Sequence, residues 1–129
     1  MKPILQVLPL LLTTFLFIGC GKSADGIVAE LQKAGIEGEV TNRIKSSSNK
    51  YKIRLTYEKE GSHKVWIYEF RSPEEATTFQ NGANGKVQMD KIGNIRASAT
   101  RHFIGKFGIA VTKGEEAKVL EVVKQYAEE

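Results

Sequence analysis

Residues that carry chemistry are scarce in this chain. One cysteine, Cys20, leaves no partner for an intrachain disulfide, so stability must come from packing. Histidine occurs only at His63 and His102, and neither belongs to a His-x-x-x-His pair. With no Cys-x-x-Cys either, the ligand spacing that a metal site needs is missing. Aspartate occurs only at Asp25 and Asp90. No Gly-x-Ser-x-Gly elbow supplies a hydrolase nucleophile, and no glycine-rich loop joins a strand to a helix to cradle phosphate. Glu58, Glu60 and Glu69 are the carboxylates left for an acid–base pair, but charges at strand ends ordinarily serve solubility. His63, in an expected turn, and His102, among polar neighbours on a strand, read as solvated side chains. The expectation is a protein that is not an enzyme and uses no cofactor or metal. The net charge of +4 is too weak for the footprint of a nucleic-acid binder.

Apolar residues concentrate at the start. After Lys2, a run from Ile4 to Ile18 is broken only by short polar or proline positions, Pro9 among them, and ends in Phe17-Ile18-Gly19-Cys20-Gly21. The run is shorter than the roughly 20 residues that cross a bilayer. Lys2 as a minimal positive region, an apolar stretch and a small residue at Gly19 are the parts of a secretory leader. An ordinary leader does not account for the cysteine. Phe17-Ile18-Gly19-Cys20 resembles the lipobox of bacterial lipoproteins, and the chain resembles the small lipoproteins of Gram-positive bacteria. The resemblance implies that residues 1–19 are a signal peptide and that Cys20 is lipidated, carrying diacylglycerol and palmitate-type chains. It implies a lipid-anchored protein on the extracytoplasmic side of the cell membrane. Two or more acyl chains make such anchoring stable. Gly21, in place of Asp, lacks the signal that retains lipoproteins in an inner membrane.

Residues 20–25 then read as the lipidated cysteine and a short tether, and residues 26–129 as one domain, about the usual size for one. Asp25 is the expected cap of a helix from about Gly26 to Gly35. Residues 36–50 are ambiguous: Ile36 and Val40 hint at a short strand, while Ser46-Ser47-Ser48-Asn49 reads as an exposed loop. Tyr51 to Tyr57 alternates, Glu60-Gly61-Ser62-His63 turns, and Lys64 to Phe70 returns as the second arm of a hairpin. Ser72-Pro73-Glu74-Glu75 opens a second helix through a cap, a first-turn proline and a capping box. Residues 83–93 receive no assignment. Asn94 to Ile104 alternates again, Gly105-Lys106 is a two-residue turn, and Phe107 to Val111 returns. Thr112, with Glu115 three residues on, is the expected cap of a last helix whose stripe is Val119, Leu120, Val123 and Tyr126.

These elements predict an α+β domain of order α-β-β-α-β-β-α: a four-stranded antiparallel sheet in two layers, with the helices on one face. The two halves look alike, with Ile53-Arg54-Leu55-Thr56 matching Ile95-Arg96-Ala97-Ser98, and Trp66, Tyr68, Phe70 matching Phe107, Ile109, Val111. In this scheme the helices cover the aromatic face. The other face carries Lys52, Arg54, Val65, Ile67, Arg96 and His102 and is a candidate interaction surface, unless residues 83–93 or the N-terminal segment fold across it. The expected function is a non-catalytic binding module for a membrane protein or envelope component. Surface-exclusion lipoproteins of mobile elements have this build and give one alternative. A small-ligand or envelope-stress sensor, with an apolar pocket beside Tyr68, gives another.

Overall fold

The computed structural model describes residues 21–45, 51–81, 95, 99–112 and 114–129. The expectations for Cys20, for Arg96 to Ser98 and for residues 83–93 lie outside the described residues. The elements are α1 (Ala24–Lys33), β1 (Glu39–Lys45), β2 (Ile53–Lys59), β3 (His63–Glu69), α2 (Pro73–Asn81), β4 (Thr100–Ile104), β5 (Phe107–Val111) and α3 (Glu116–Glu128). The class is α+β. The antiparallel sheet has five strands, not four, in the order β1-β2-β3-β5-β4.

The extra strand is β1, an edge strand pairing with β2. Its apolar residues, Val40 and Ile44, are four apart and would share a face in a regular strand. A bulge between Val40 and Asn42 sets Val40 opposite Tyr57 and Ile44 opposite Arg54, on different faces. Alternation in the sequence is thereby erased.

The helices lie on both faces, so the domain has three layers and not two. On one face α1 and α3 pack Ile27, Leu31, Val119 and Val123 over Ile53, Leu55, Tyr57, Val65, Ile67, Phe107, Ile109 and Val111. On the other, Ala76 and Phe79 of α2 join Tyr51, Trp66, Tyr68, Phe70, Ile95 and Ala99. The reason is hairpin register. The connection between β2 and β3 spans three residues, Lys59 pairs with His63, and Gly61 takes a φ of +76° that glycine adopts without a Cβ penalty. Leu55 therefore faces Ile67, and Thr56 faces Trp66. A one-residue change in pairing would exchange these faces. The central strands β3 and β5 are buried on both sides, which is why Val65-Trp66-Ile67-Tyr68 is apolar without interruption.

Local signals fare unevenly. The Gly105-Lys106 turn is present, joining Ile104 to its partner Phe107. Ser72 caps α2, its Oγ accepting the Glu75 N–H at 3.1 Å, while the Glu75 carboxylate reaches back to the Arg71 N–H at 3.1 Å. The cap of α1 is Ser23 and not Asp25, its side chain accepting from the Gly26 N–H. Thr112 does not cap α3. Its N–H and Oγ1 extend the pairing with Lys64, and α3 begins after Glu115 without a side-chain cap.

Ile67 is fully buried beneath α1 and α3. Ile67→Ala should reduce unfolding free energy by about 2–5 kcal/mol in urea titration, whereas Lys45→Ala on the exposed edge should stay within about 0.5 kcal/mol. An unchanged midpoint for Ile67→Ala would contradict the three-layer packing.

Candidate functional site

The expected sheet-face surface does not exist as one surface. Val65 and Ile67 are fully buried under α1 and α3. Arg54 is buried on the opposite face, opposite Tyr68 in β3. His102, half-buried, faces Ile109 on the α3 side, and among the described residues its buried Nε2 has no hydrogen-bond partner. Lys52 is exposed, at one end of the sheet. The register of the first hairpin exchanges the faces of β3; Arg54 keeps its expected face, which α2 covers, and the two-residue second turn sets His102 beside Ile109.

What the fold does assemble lies at the two ends of the strands, roughly 20 Å apart over a seven-residue strand. At one end the chain enters the domain. Ser23 N–H donates to Tyr126 Oη at 3.1 Å, and Ala24 N–H donates to Glu69 Oε1 at 2.8 Å. Lys22 Nζ donates to the carbonyls of Tyr126, at 2.6 Å, and of Glu129. An ammonium over the last carbonyls of α3 meets the negative end of the helix dipole. The first N–H groups of α1 find acceptors in Glu69 and Ser23, which satisfies donors that the helix cannot pair internally. Glu69 is only 3% exposed, and its Oε2 lies 3.5 Å from both Lys52 Nζ and Lys106 Nζ. It is therefore a buried tie between the entering chain, β3 and the β4–β5 turn, and not a solubilising strand-end charge. It also stands about 17 Å along the strand from Glu58, too far for the two to act as one acid–base pair.

The other end carries the β2–β3 turn and an open depression of about 700 Å³ lined by Glu39, Glu58, Lys59, Ser62, His63 and Lys64. His63 is buried, contrary to its expected place in a solvated turn. Its Nε2 donates to the Glu37 carbonyl at 2.6 Å, and its Nδ1 meets Ser62 Oγ at 3.0 Å. A carbonyl can only accept, which fixes the proton on Nε2. The Tyr57 hydroxyl donates to the Ile36 carbonyl at 2.6 Å, and burial raises its pKa. These two bonds hold the segment after α1 against the sheet. Among the described residues no group of three or more His, Cys, Asp or Glu is arranged to hold a metal ion. Tyr68 is fully buried, with Tyr51 packed edge-on at 5.3 Å and Phe79 at 6.4 Å; neither the large depression nor a smaller one of about 220 Å³ beside α1 and α3 adjoins it. No helix among the described residues is long and apolar enough to cross a membrane.

The entry clamp makes an unusual demand on Gly26. A Cβ built there would stand 1.9 Å from Tyr126 Oη. Alanine ordinarily improves a helix interior by about 0.5–1 kcal/mol over glycine. Here overpacking, at about 1–3 kcal/mol, outweighs that gain. Gly26→Ala should therefore lower the thermal midpoint and expose the Ser23 amide to faster hydrogen exchange.

Asp25, in the first turn of α1, forms a two-bond pair with Arg43 of β1, one bond at 2.9 Å. The hydrogen bond from Arg43 holds its carboxyl below the usual range, against the opposing effect of partial burial, and the Arg43 charge acts in the same direction as the bond. A carboxyl depressed in the folded state adds stability above its ordinary pKa, and that stability is lost as pH falls through the folded value. Urea midpoints should fall on acidification below about pH 4, and Arg43→Gln should flatten that part of the profile.

Comparison with protein-family models, curated proteins and solved structures finds no match for this chain.

Proposed function

We propose that this chain is an extracytoplasmic lipoprotein, anchored to the cell membrane through acylated Cys20. Its folded domain acts as a non-catalytic binding module for a membrane protein or envelope component. The observation that carries the reading is the junction of leader and domain. Phe17-Ile18-Gly19-Cys20 ends an apolar run, and among the described residues Lys22 and Ser23, two and three residues later, are already bonded to the domain. Lys22 and Ser23 lie on the mature side of that junction, so cleavage at Cys20 would keep the bonds they make. An acylated Cys20 would hold the domain at the bilayer surface with almost no slack, where its reach is limited to neighbours in the same membrane or the adjoining envelope. The open, polar depression at the opposite end supports a contact with a hydrated partner more than one with a small apolar ligand.

The experiment is expression of the full chain in a bacterium fed radiolabelled palmitate. The wild-type product should take up label, lose the leader and sediment with membranes. Cys20→Ser should abolish the label and leave the leader uncut. Equal labelling and processing in the variant, or an unlabelled native product in the cytosol, would overturn the reading.

A further inference from the structure

The contacts at the chain entry say more than that the domain is near a membrane. We infer that the sheet end carrying Lys22, Lys45, Lys52 and Lys106 faces the lipid headgroups, held in that orientation by the clamp at Lys22–Ala24. The inference rests on the lipid anchor at Cys20 and adds which surface meets the bilayer.

Two peptide units separate Cys20 from Lys22, a span of at most about 7 Å. Lys22, Ser23 and Ala24 are each bonded to the body of the domain, through Tyr126, Glu129 and Glu69. No flexible stalk therefore remains on the domain side of Lys22. The end of the sheet where the chain enters must stay near the plane of the headgroups, and the opposite end must project away by about the length of the strands, roughly 20 Å.

Charge gives an independent argument. Lys45 pairs with Ile53, and Ile53 with Glu69, which puts Lys45 at the entry end with Lys52. Lys106 is in the turn beside Phe107, the partner of Glu69. Lys52 and Lys106 share the single charge of Glu69. At the entry end Asp25 and Glu75 are matched by Arg43 and Arg71, and Glu69, Glu74, Glu128 and Glu129 offset Lys22, Lys45, Lys52 and Lys106, which leaves that end close to neutral. The far end instead displays Glu37, Glu39, Glu58 and Glu60, with Lys59 and Lys64 among them. An anionic surface acts within a Debye length of about 8 Å, so it tolerates the near-neutral entry end and repels the acidic far end.

The test uses the full acylated chain in vesicles of phosphatidylglycerol and phosphatidylethanolamine doped with a nickel-chelating lipid. Acylation of the sole cysteine leaves an introduced thiol as the one site for a nitroxide label. Glu128→Cys, in the exposed last turn of α3 next to Lys22, and Glu60→Cys, in the exposed far turn, each remove one carboxylate and so match in charge. Relaxation of the label by headgroup nickel should be several-fold stronger at position 128 than at position 60. Equal relaxation, or the reverse order, in a protein of acylated mass would overturn the orientation and leave the anchor standing. A parent chain whose Cys20 thiol takes the label and which fails to bind vesicles would overturn the anchor, and the orientation with it.

Discussion

The structure depends on a carboxylate that is almost out of water. Removing a carboxylate from solvent costs several kcal/mol unless charges and hydrogen bonds offset it. Glu69 has an amide donor in Ala24 and two ammonium groups within 3.5 Å. The amide belongs to the first turn of α1, where aligned peptide dipoles favour a negative charge. Each partner comes from a different piece of chain: Ala24 from the first helix, Lys52 from the approach to β2, Lys106 from the β4–β5 turn. A single side chain thus closes one end of the fold and sets where the chain enters it. By contrast, Asp25–Arg43 and Lys59–Glu37 join exposed groups, where water and salt screen the attraction.

This closure gives the domain two unlike ends. At the entry end the backbone itself is tied down, at Ser23 and Ala24, so the direction of the N-terminal chain is a property of the fold. At the other end the side chains of Tyr57 and His63 hold the backbone after α1, and the surface beyond them is open and rich in carboxylates. Both ends use the same device, a side chain bonding an otherwise unpaired backbone group. They differ in what lies outside. The domain therefore presents one end at which the backbone is tied down and one that is open and acidic.

The sequence made some of this legible. Ser72-Pro73 announces α2 and Gly105-Lys106 announces the second hairpin, because both signals act within four residues. The α+β class follows from the same local patterns. The fifth strand was hidden because a bulge at Thr41 cancels the spacing of Val40 and Ile44. The candidate face failed for a related reason. Grouping Trp66 and Tyr68 with Ile53 and Leu55 assumed that apolar strand residues share one face, whereas a three-residue connection pairs Leu55 with Ile67. The signal that could have corrected it was Val65-Trp66-Ile67-Tyr68, four apolar residues in succession. Such a run belongs to a strand covered on both faces, and so calls for helices on both. The entry clamp had no local signature, since Lys22, Glu69 and Tyr126 are brought together only by the closed fold.

The likeness of the two halves can be judged by symmetry. Two hairpins placed side by side, with β3 antiparallel to β5, exchange by a twofold axis normal to the sheet. Such an axis keeps each face on its own side. It would carry α2 onto α3 over one face and match Trp66 and Tyr68 to residues beneath the same helices. Instead α2 covers the Trp66 face, and α3 covers Phe107, Ile109 and Val111 on the other. The sequence match of Trp66-Tyr68-Phe70 to Phe107-Ile109-Val111 therefore pairs residues that point in opposite directions. A simple tandem copy of one strand–strand–helix unit does not produce that arrangement. The resemblance follows from what any such unit requires: alternating strands, a tight turn, and a helix whose first turn carries acid against its dipole. The two strands of the match exchange faces together. Ile53 and Leu55 lie under α1 and α3 with Trp66 and Tyr68 under α2, whereas Ile95 and Ala99 lie on the α2 side with Phe107 and Ile109 under α3. Each half thus keeps its second strand beneath its own helix while the whole unit is turned over.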